Sequence, residues 1–137
     1  MTESGQSASF ELPVRVYYEN TDAGGVVYHA DYVKFLERGR TEWLRHLGFQ
    51  QLELVRDHGI VFAVRRMQIE YLAPARLDDA LVVETAIEKT SRVSIHFRQR
   101  IRRGADALLV DATVQVASID AAQFRPTAIP HQIRDLL

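Results

Sequence analysis

Between Tyr18 and His29 the chain reads Tyr18-Glu-Asn-Thr-Asp-Ala-Gly-Gly-Val-Val-Tyr28 and holds two carboxylates, Glu19 and Asp22, able to act as base or nucleophile. Asp22 is followed by Ala23-Gly24-Gly25, where backbone can approach a ligand with no side chain in the way. A helical pattern opens at His29, so its first turn offers N–H groups without intrahelical acceptors and the positive end of a helix dipole. A carboxylate beside such a terminus combines the two halves of acyl-transfer chemistry. The amides polarise a carbonyl and hold the oxyanion; the carboxylate attacks the carbonyl or activates water. The same residues also suit a plain turn, with Asp22 in an Asx-turn and the glycines reversing the chain. Local physics leaves both open.

The elements that must position this loop follow from periodicity. Residues 12–19 alternate, with Val14, Val16 and Tyr18 on one side and Arg15 and Tyr17 on the other, which predicts a strand. Asn20-Thr-Asp-Ala-Gly-Gly25 is a loop by composition. Over residues 29–47, Tyr32, Leu36, Gly39, Trp43 and Leu47 recur at helical spacing, widened by Phe35 and Leu44. Lys34, Glu37, Arg38, Thr41, Glu42 and Arg45 fill the opposite face, and Gly48 is the stop. Gly39 on the apolar stripe costs about 1 kcal/mol in helix propensity relative to alanine, so the helix is expected to approach a sheet closely there. A short helix follows over residues 51–57, ending at His58-Gly59.

The remainder reads as long strands. Residues 60–72 end at Ala73-Pro74, and residues 80–88 follow Asp78-Asp79. Val93, Ile95, Phe97 and Ile101 alternate with Ser94, His96, Arg98, Arg100 and Arg102. Beyond the Arg103-Gly104 turn, Leu108, Val110, Ala112, Val114 and Val116 alternate with Asp111, Thr113 and Gln115. Pro126 and Pro130 punctuate a C-terminal segment expected to finish in one helical turn. One amphipathic helix and four or five antiparallel strands bury their apolar faces most simply as a curved antiparallel sheet wrapped around the helix. The expectation is an α+β fold, one domain over residues 10–137 behind a flexible tail over residues 1–9. Its uncovered edges and outer face predict oligomerisation.

Bulk properties narrow the function classes. The chain has 137 residues, enough for one domain with a real core, and no cysteine, which removes disulfides, thiolate metal sites and cysteine nucleophiles. A net charge of -1 gives no reason to expect nucleic acid or an anionic membrane as partner. The first ten residues do not resemble a secretory signal, and no apolar run approaches the roughly 20 residues that span a bilayer. A soluble, cytoplasmic protein is the expectation. His46, His58, His96 and His131 show no metal-ligand spacing, so no metal site is expected.

The stretch Val14-Arg-Val-Tyr-Tyr-Glu-Asn-Thr-Asp-Ala-Gly-Gly-Val-Val-Tyr-His-Ala-Asp-Tyr32, followed by Phe35-Leu-Glu-Arg-Gly-Arg-Thr-Glu42, resembles the 4-hydroxybenzoyl-CoA thioesterase family. It is more similar still to the Tol-Pal-associated acyl-CoA thioesterase branch of the hotdog superfamily. Arg65-Arg-Met-Gln-Ile-Glu-Tyr-Leu-Ala-Pro-Ala-Arg-Leu-Asp-Asp79 resembles the strand and turn that follow the helices in that branch, and the likeness extends over most of residues 12–130. The resemblance implies a hotdog fold, hydrolysis of an acyl-CoA thioester, and Asp22 as the catalytic carboxylate, either nucleophile or general base. It also implies that the His29 backbone N–H contacts the thioester oxygen, a donor worth on the order of 3 kcal/mol in the transition state. Gly25, Val26, Tyr28 and Tyr32 would line the substrate, and Lys89 and Arg92 would meet the nucleotide phosphate. The His29 side chain is the nearest further acid-base group. A dimer of hotdogs assembling to a tetramer is implied, with no metal or redox cofactor.

Thioester chemistry accounts for so sparse a site. A thiol with a pKa of about 8.5 departs without much help from a general acid, so one carboxylate and an oxyanion site suffice. Coenzyme A and acyl carrier protein both remain open as the thiol carrier. The strand arginines Arg98, Arg100, Arg102 and Arg103, with Arg92, form a basic face that can grip phosphates, stay solvated or join a subunit interface. Asn20 departs from the family, which commonly carries an acid there; losing a charge near Asp22 is expected to alter rate or pH profile. Two other functions stay open: a hotdog hydratase or dehydratase using His29 with Asp22, and a non-catalytic acyl-thioester or protein-binding module.

Overall fold

A computed structural model describes residues 9–137 of the chain, so the expected tail lies almost wholly outside the described residues. Strands β1 (Phe10–Arg15), β2 (Ile60–Tyr71), β3 (Ala80–Thr90), β4 (Ser94–Arg103) and β5 (Ala107–Asp120) form one antiparallel sheet in the order β1-β3-β4-β5-β2. Helix α1 (His29–His46) lies across its concave face, with Gly48 at φ 101 beyond its end. Helix α2 (Gln51–Glu53) widens into a π-turn over Leu54–His58, and α3 (His131–Arg134) is the C-terminal helical turn. This is the α+β, sheet-around-helix arrangement of the hotdog fold.

The helix buries its stripe in two clusters. Tyr32, Phe35 and Leu36 pack with Val27, Ala75, Leu81, Val83, Ile101 and Leu109. Further along, Trp43 and Leu44 pack with Leu54, Ile95, Phe97, Val114, Ile129 and Ile133. Between the clusters lies a polar layer. The fully buried Gln99 donates through Nε2 to the Leu36 carbonyl at 2.9 Å and to Thr85 Oγ1 at 2.9 Å, while its Oε1 accepts from Arg40 at 3.0 Å. Gly39 sits over this layer, where a Cβ would lie 2.8 Å from Val83 Cγ1 and 2.9 Å from Thr85 Oγ1.

Two expectations change. The first strand stops at Arg15, because Tyr18–Asn20 folds into a 3-10 turn in which Asn20 Oδ1 accepts the Tyr17 N–H at 2.8 Å. Tyr17 and Tyr18 therefore leave the alternation, and Tyr18 is exposed rather than inward like Val16. In β5 the register shifts between the pairs Ile101↔Val110 and Arg102↔Leu108, so Leu109 is the extra residue of a bulge. Leu109 is buried and Leu108 only half-buried, where strict alternation predicts the reverse.

Replacing Gly39 by alanine gains about 1 kcal/mol of helix propensity but forces a methyl into the sheet, an overpacking cost of about 1–3 kcal/mol. The expected outcome is a net loss of stability, read as a lower urea midpoint with unchanged m-value.

Candidate active site

The loop ahead of α1 is held at both ends by backbone bonds. Asn20 O accepts the Tyr28 N–H at 2.8 Å, Val26 O accepts the Asp22 N–H at 2.9 Å, and Val27 N–H donates to Ala75 O at 2.9 Å. Gly25 turns the chain at φ 81, a conformation that glycine adopts without steric cost. Asp22 is exposed at the tip, and its Oδ1 accepts the Gly24 N–H at 2.8 Å. An Asx-turn and an available carboxylate oxygen are thus compatible: one oxygen closes the turn and Oδ2 keeps its lone pairs.

Helix α1 starts at once behind this loop and carries no side-chain cap on Tyr28. Among the described residues, the His29 and Ala30 N–H groups have no acceptor. An uncapped helix start is an open donor site at the positive end of the dipole. Asp22, Val26, His29, Tyr32, Tyr71 and Pro74 border one open depression of about 380 Å³. The carboxylate and the open terminus therefore face the same space.

Burial raises the Tyr32 pKa, and its hydroxyl accepts the Ala75 N–H at 2.9 Å, so this phenol is a wall of the site and not a base. His29 is exposed, with its ring 4.6 Å from that of Tyr28. Tyr28 is itself exposed, its ring tilted 50° against that of His29 rather than entering the core. Lys89 and Arg92 lie elsewhere. The loop joins the Ala80 end of β3 through Val16 N–H to Asp79 O, while Lys89 is nine residues further along, roughly 30 Å away at strand rise. Within one chain they do not meet Asp22.

The arginine face of β4 is matched by acids. Arg98 makes two 2.8 Å bonds to Asp111, holding that carboxyl below its ordinary pKa, and Arg102 bonds Glu84 at 2.9 Å. Arg103 bridges Asp79 at 3.1 Å. Arg98 and Arg102 are held by these acids on the sheet surface, whereas Arg103 also donates to the Pro74 carbonyl at 3.1 Å in the turn after β2; all three are paired and poorly placed to be free phosphate ligands.

Asn20 behaves differently from expectation. Its side chain points inward, and Nδ2 donates to Asp31 Oδ2 at 2.9 Å, with both residues buried. Residue 20 thus bears on Asp31 and not on the exposed Asp22. Asp31 itself was hidden in the pattern, although it stands four residues before Phe35 and so falls on the edge of the buried arc. Tyr71 was also missed. From the end of β2 its hydroxyl donates to the His29 carbonyl at 3.1 Å, and its ring meets Tyr32 edge-on at 5.6 Å. Strand periodicity could assign Tyr71 a face but not this contact.

A second, more enclosed cavity of about 200 Å³ lies at the other half of α1, walled by Trp43, Phe62, Val64, Ile95 and Phe97 with Arg40 at its polar side.

The family model described as "Thioesterase superfamily" matches residues 24–110, which run from just after Asp22 through α1, β2, β3 and β4 to the start of β5. The chain belongs to the thioesterase superfamily. Among thioesterase relatives, "Acyl-CoA thioester hydrolase YbgC" of Escherichia coli O6:H1 is 51% identical over 124 residues, covering 90% of this chain and 92% of the relative. "Acyl-CoA thioesterase YbgC" of Haemophilus influenzae is 46% identical over 125 residues, 91% of each chain. A solved probable thioesterase from Bartonella henselae superposes with TM-score 0.86 at 37% identity, covering 90% of this chain and 100% of that one. The 4-hydroxybenzoyl CoA thioesterase from Pseudomonas sp. strain CBS-3 superposes with TM-score 0.87 at 21% identity over 96% of this chain and 100% of that one, a likeness of fold.

Tyr71→Phe removes the hydroxyl that holds the first carbonyl of α1, a bond worth about 0.5–1.5 kcal/mol. The variant is expected to keep its melting temperature within a few degrees while losing about three- to tenfold in kcat/KM toward an acyl thioester.

Proposed function

We propose that the protein hydrolyses acyl-CoA thioesters to a free carboxylic acid and a free thiol. One observation carries this reading: the exposed Asp22 carboxylate shares a depression with the uncapped start of α1. The thioester carbonyl lies over the helix start, its oxygen accepting from the His29 N–H, and Asp22 Oδ2 attacks the carbonyl carbon or takes a proton from water that does so. Negative charge develops on the carbonyl oxygen, where open amides and the helix dipole oppose it without reorganisation. The tetrahedral intermediate then expels the thiolate, which needs no strong acid; where Asp22 has attacked directly, the resulting mixed anhydride is hydrolysed by water, which releases the carboxylic acid and restores the carboxylate. The His29 imidazole, exposed beside the site, orients water or substrate. Gly25 and Val26 line the loop side, and Tyr32 closes the floor. The 51% identical relative named as an acyl-CoA thioester hydrolase supports the substrate class.

The site works in an oligomer. β2 is an edge strand with Val64, Tyr71 and Leu72 exposed, and an unpaired edge of 12 residues is a template for a second copy. Antiparallel pairing of two β2 edges reverses the second copy. Its cavity beside Phe62 and Val64 then comes next to the first copy's Tyr71, giving the acyl chain a sheltered path beyond the open depression. Its β3–β4 turn, with Lys89 and Arg92, turns toward the end of the assembly that carries the first copy's Asp22, where a nucleotide phosphate can reach it. Two such dimers make the expected tetramer. No helix among the described residues is long and apolar enough to cross a membrane.

Asp22→Asn keeps the Asx-turn acceptor but removes the base. Thiol release from acyl-CoA is expected to fall about 10²–10⁴-fold with an unchanged far-UV spectrum; wild-type turnover by this variant would sink the assignment. Val64→Glu on the free edge is expected to shift the protein toward monomer in analytical ultracentrifugation and to lose activity in parallel. A fully active monomer would show instead that each chain's site is complete.

A further inference from the structure

The loop that presents Asp22 is tied to α1 by one side-chain pair that the reaction itself does not use. Asn20 is 4% exposed and Asp31 is 5% exposed, and their side chains meet at 2.9 Å. Asn20 makes four hydrogen bonds from this position: Nδ2 donates to Asp31, Oδ1 accepts the Tyr17 N–H, its backbone N–H donates to the Tyr17 carbonyl, and its own carbonyl accepts the Tyr28 N–H. These reach the residues on either side of the loop and the first turn of the helix. As a carboxylate, Asp31 can only accept, so it fixes which way the Asn20 amide points and leaves Oδ1 for Tyr17. The pair is directional: one member must donate and the other accept.

We propose that Asn20 and Asp31 are a matched pair of positioning residues that sets the loop carrying Asp22 against the open start of α1, and that donor and acceptor can trade places but cannot both be acids. This rests on the thioesterase reading of the same site. The geometry gives the pair its leverage, because residue 20 begins the loop, Tyr28 ends it, and Asp31 sits in the helix turn whose first N–H groups face the depression. A small change in that tether moves the carboxylate and the oxyanion donors relative to each other. The charged side chains bordering Asn20 from β1, the 3-10 turn and α1 are Arg15, Glu19, Arg38 and Glu42. Asn20 and Asp31 are more buried than any of these four, so their mutual contact is the dominant interaction of the pair.

The test is a swap. In Asn20→Asp two buried carboxylates replace a donor–acceptor pair, and both cannot stay ionised, so one must hold a proton or the loop must move. At pH 8 its kcat on an acyl-CoA is expected to fall at least about tenfold, with partial recovery toward pH 6 as a proton is shared. The double variant Asn20→Asp with Asp31→Asn restores one donor and one acceptor. It is expected to regain kcat to within about threefold of wild type and to lose the acid-side recovery. Melting temperatures across the same pH range should follow the same order, and they read the pair without turnover. If Asn20→Asp does not fold, the double variant decides alone: folded and active supports the pairing. The proposal is overturned if Asn20→Asp matches wild type at every pH, or if the double variant is unfolded or no more active than the single one. A wild type inactive on all acyl-CoAs would overturn the thioesterase reading and with it the positioning role, whereas a working wild type with no swap rescue would overturn the pair only.

Discussion

The fold depends on how closely α1 lies on the sheet. At Gly39 the helix backbone lies so close to Val83, Thr85 and Gln99 that a Cβ there would force those side chains to shift. Gln99 then reaches the helix itself through the Leu36 carbonyl, in a layer with no water-exposed route for its amide. A buried amide left without partners would cost about 1–3 kcal/mol, so the layer is specific as well as tight. It joins two apolar clusters and sets where along the sheet the helix must start.

That placement makes the site. With α1 held by its middle, its first turn projects at the end of the sheet where β1, the start of β3 and the turn after β2 meet. The loop of residues 20–28 is pinned to Ala75 and Arg76 from that turn, and Tyr71 bonds the His29 carbonyl. The reactive groups are few because the scaffold positions a helix terminus, and a helix terminus already contains the electrophilic half of the chemistry. One exposed carboxylate, Asp22 in the proposed reaction, is all that must be added.

The same arrangement leaves unfinished surfaces. The depression at Asp22 is open, while the sheltered cavity lies along the other half of α1 and beside an unpaired edge. A monomer with a carbonyl site at one end and an apolar cavity at the other has its binding elements separated. In the proposed dimer, reversal of a second copy at that edge would bring them together.

Much of this was legible in the order of residues. The helix over residues 29–47, the strand order of patterns and the turn cluster around Asp22 follow from period, propensity and glycine placement, all of which act between near neighbours. Gly39 even announced the close approach, since a glycine on an apolar stripe has a local cost that only packing can offset. The family resemblance then selected chemistry where local physics allowed a turn or a catalyst. What tertiary structure alone decided were contacts between distant segments: the early end of β1, the bulge at Leu109, the Tyr71 bond to His29 and the inward turn of Asn20 toward Asp31. The arginine face shows the same limit, because its acids arrive from neighbouring strands. Periodicity names the face a side chain occupies. Which partner waits there depends on register and on the path of the chain between elements, and neither is encoded within a few residues. So Asp22 and the helix start behind it could be singled out from sequence, but the buried Asn20–Asp31 contact at the base of the loop emerged only once the chain was folded.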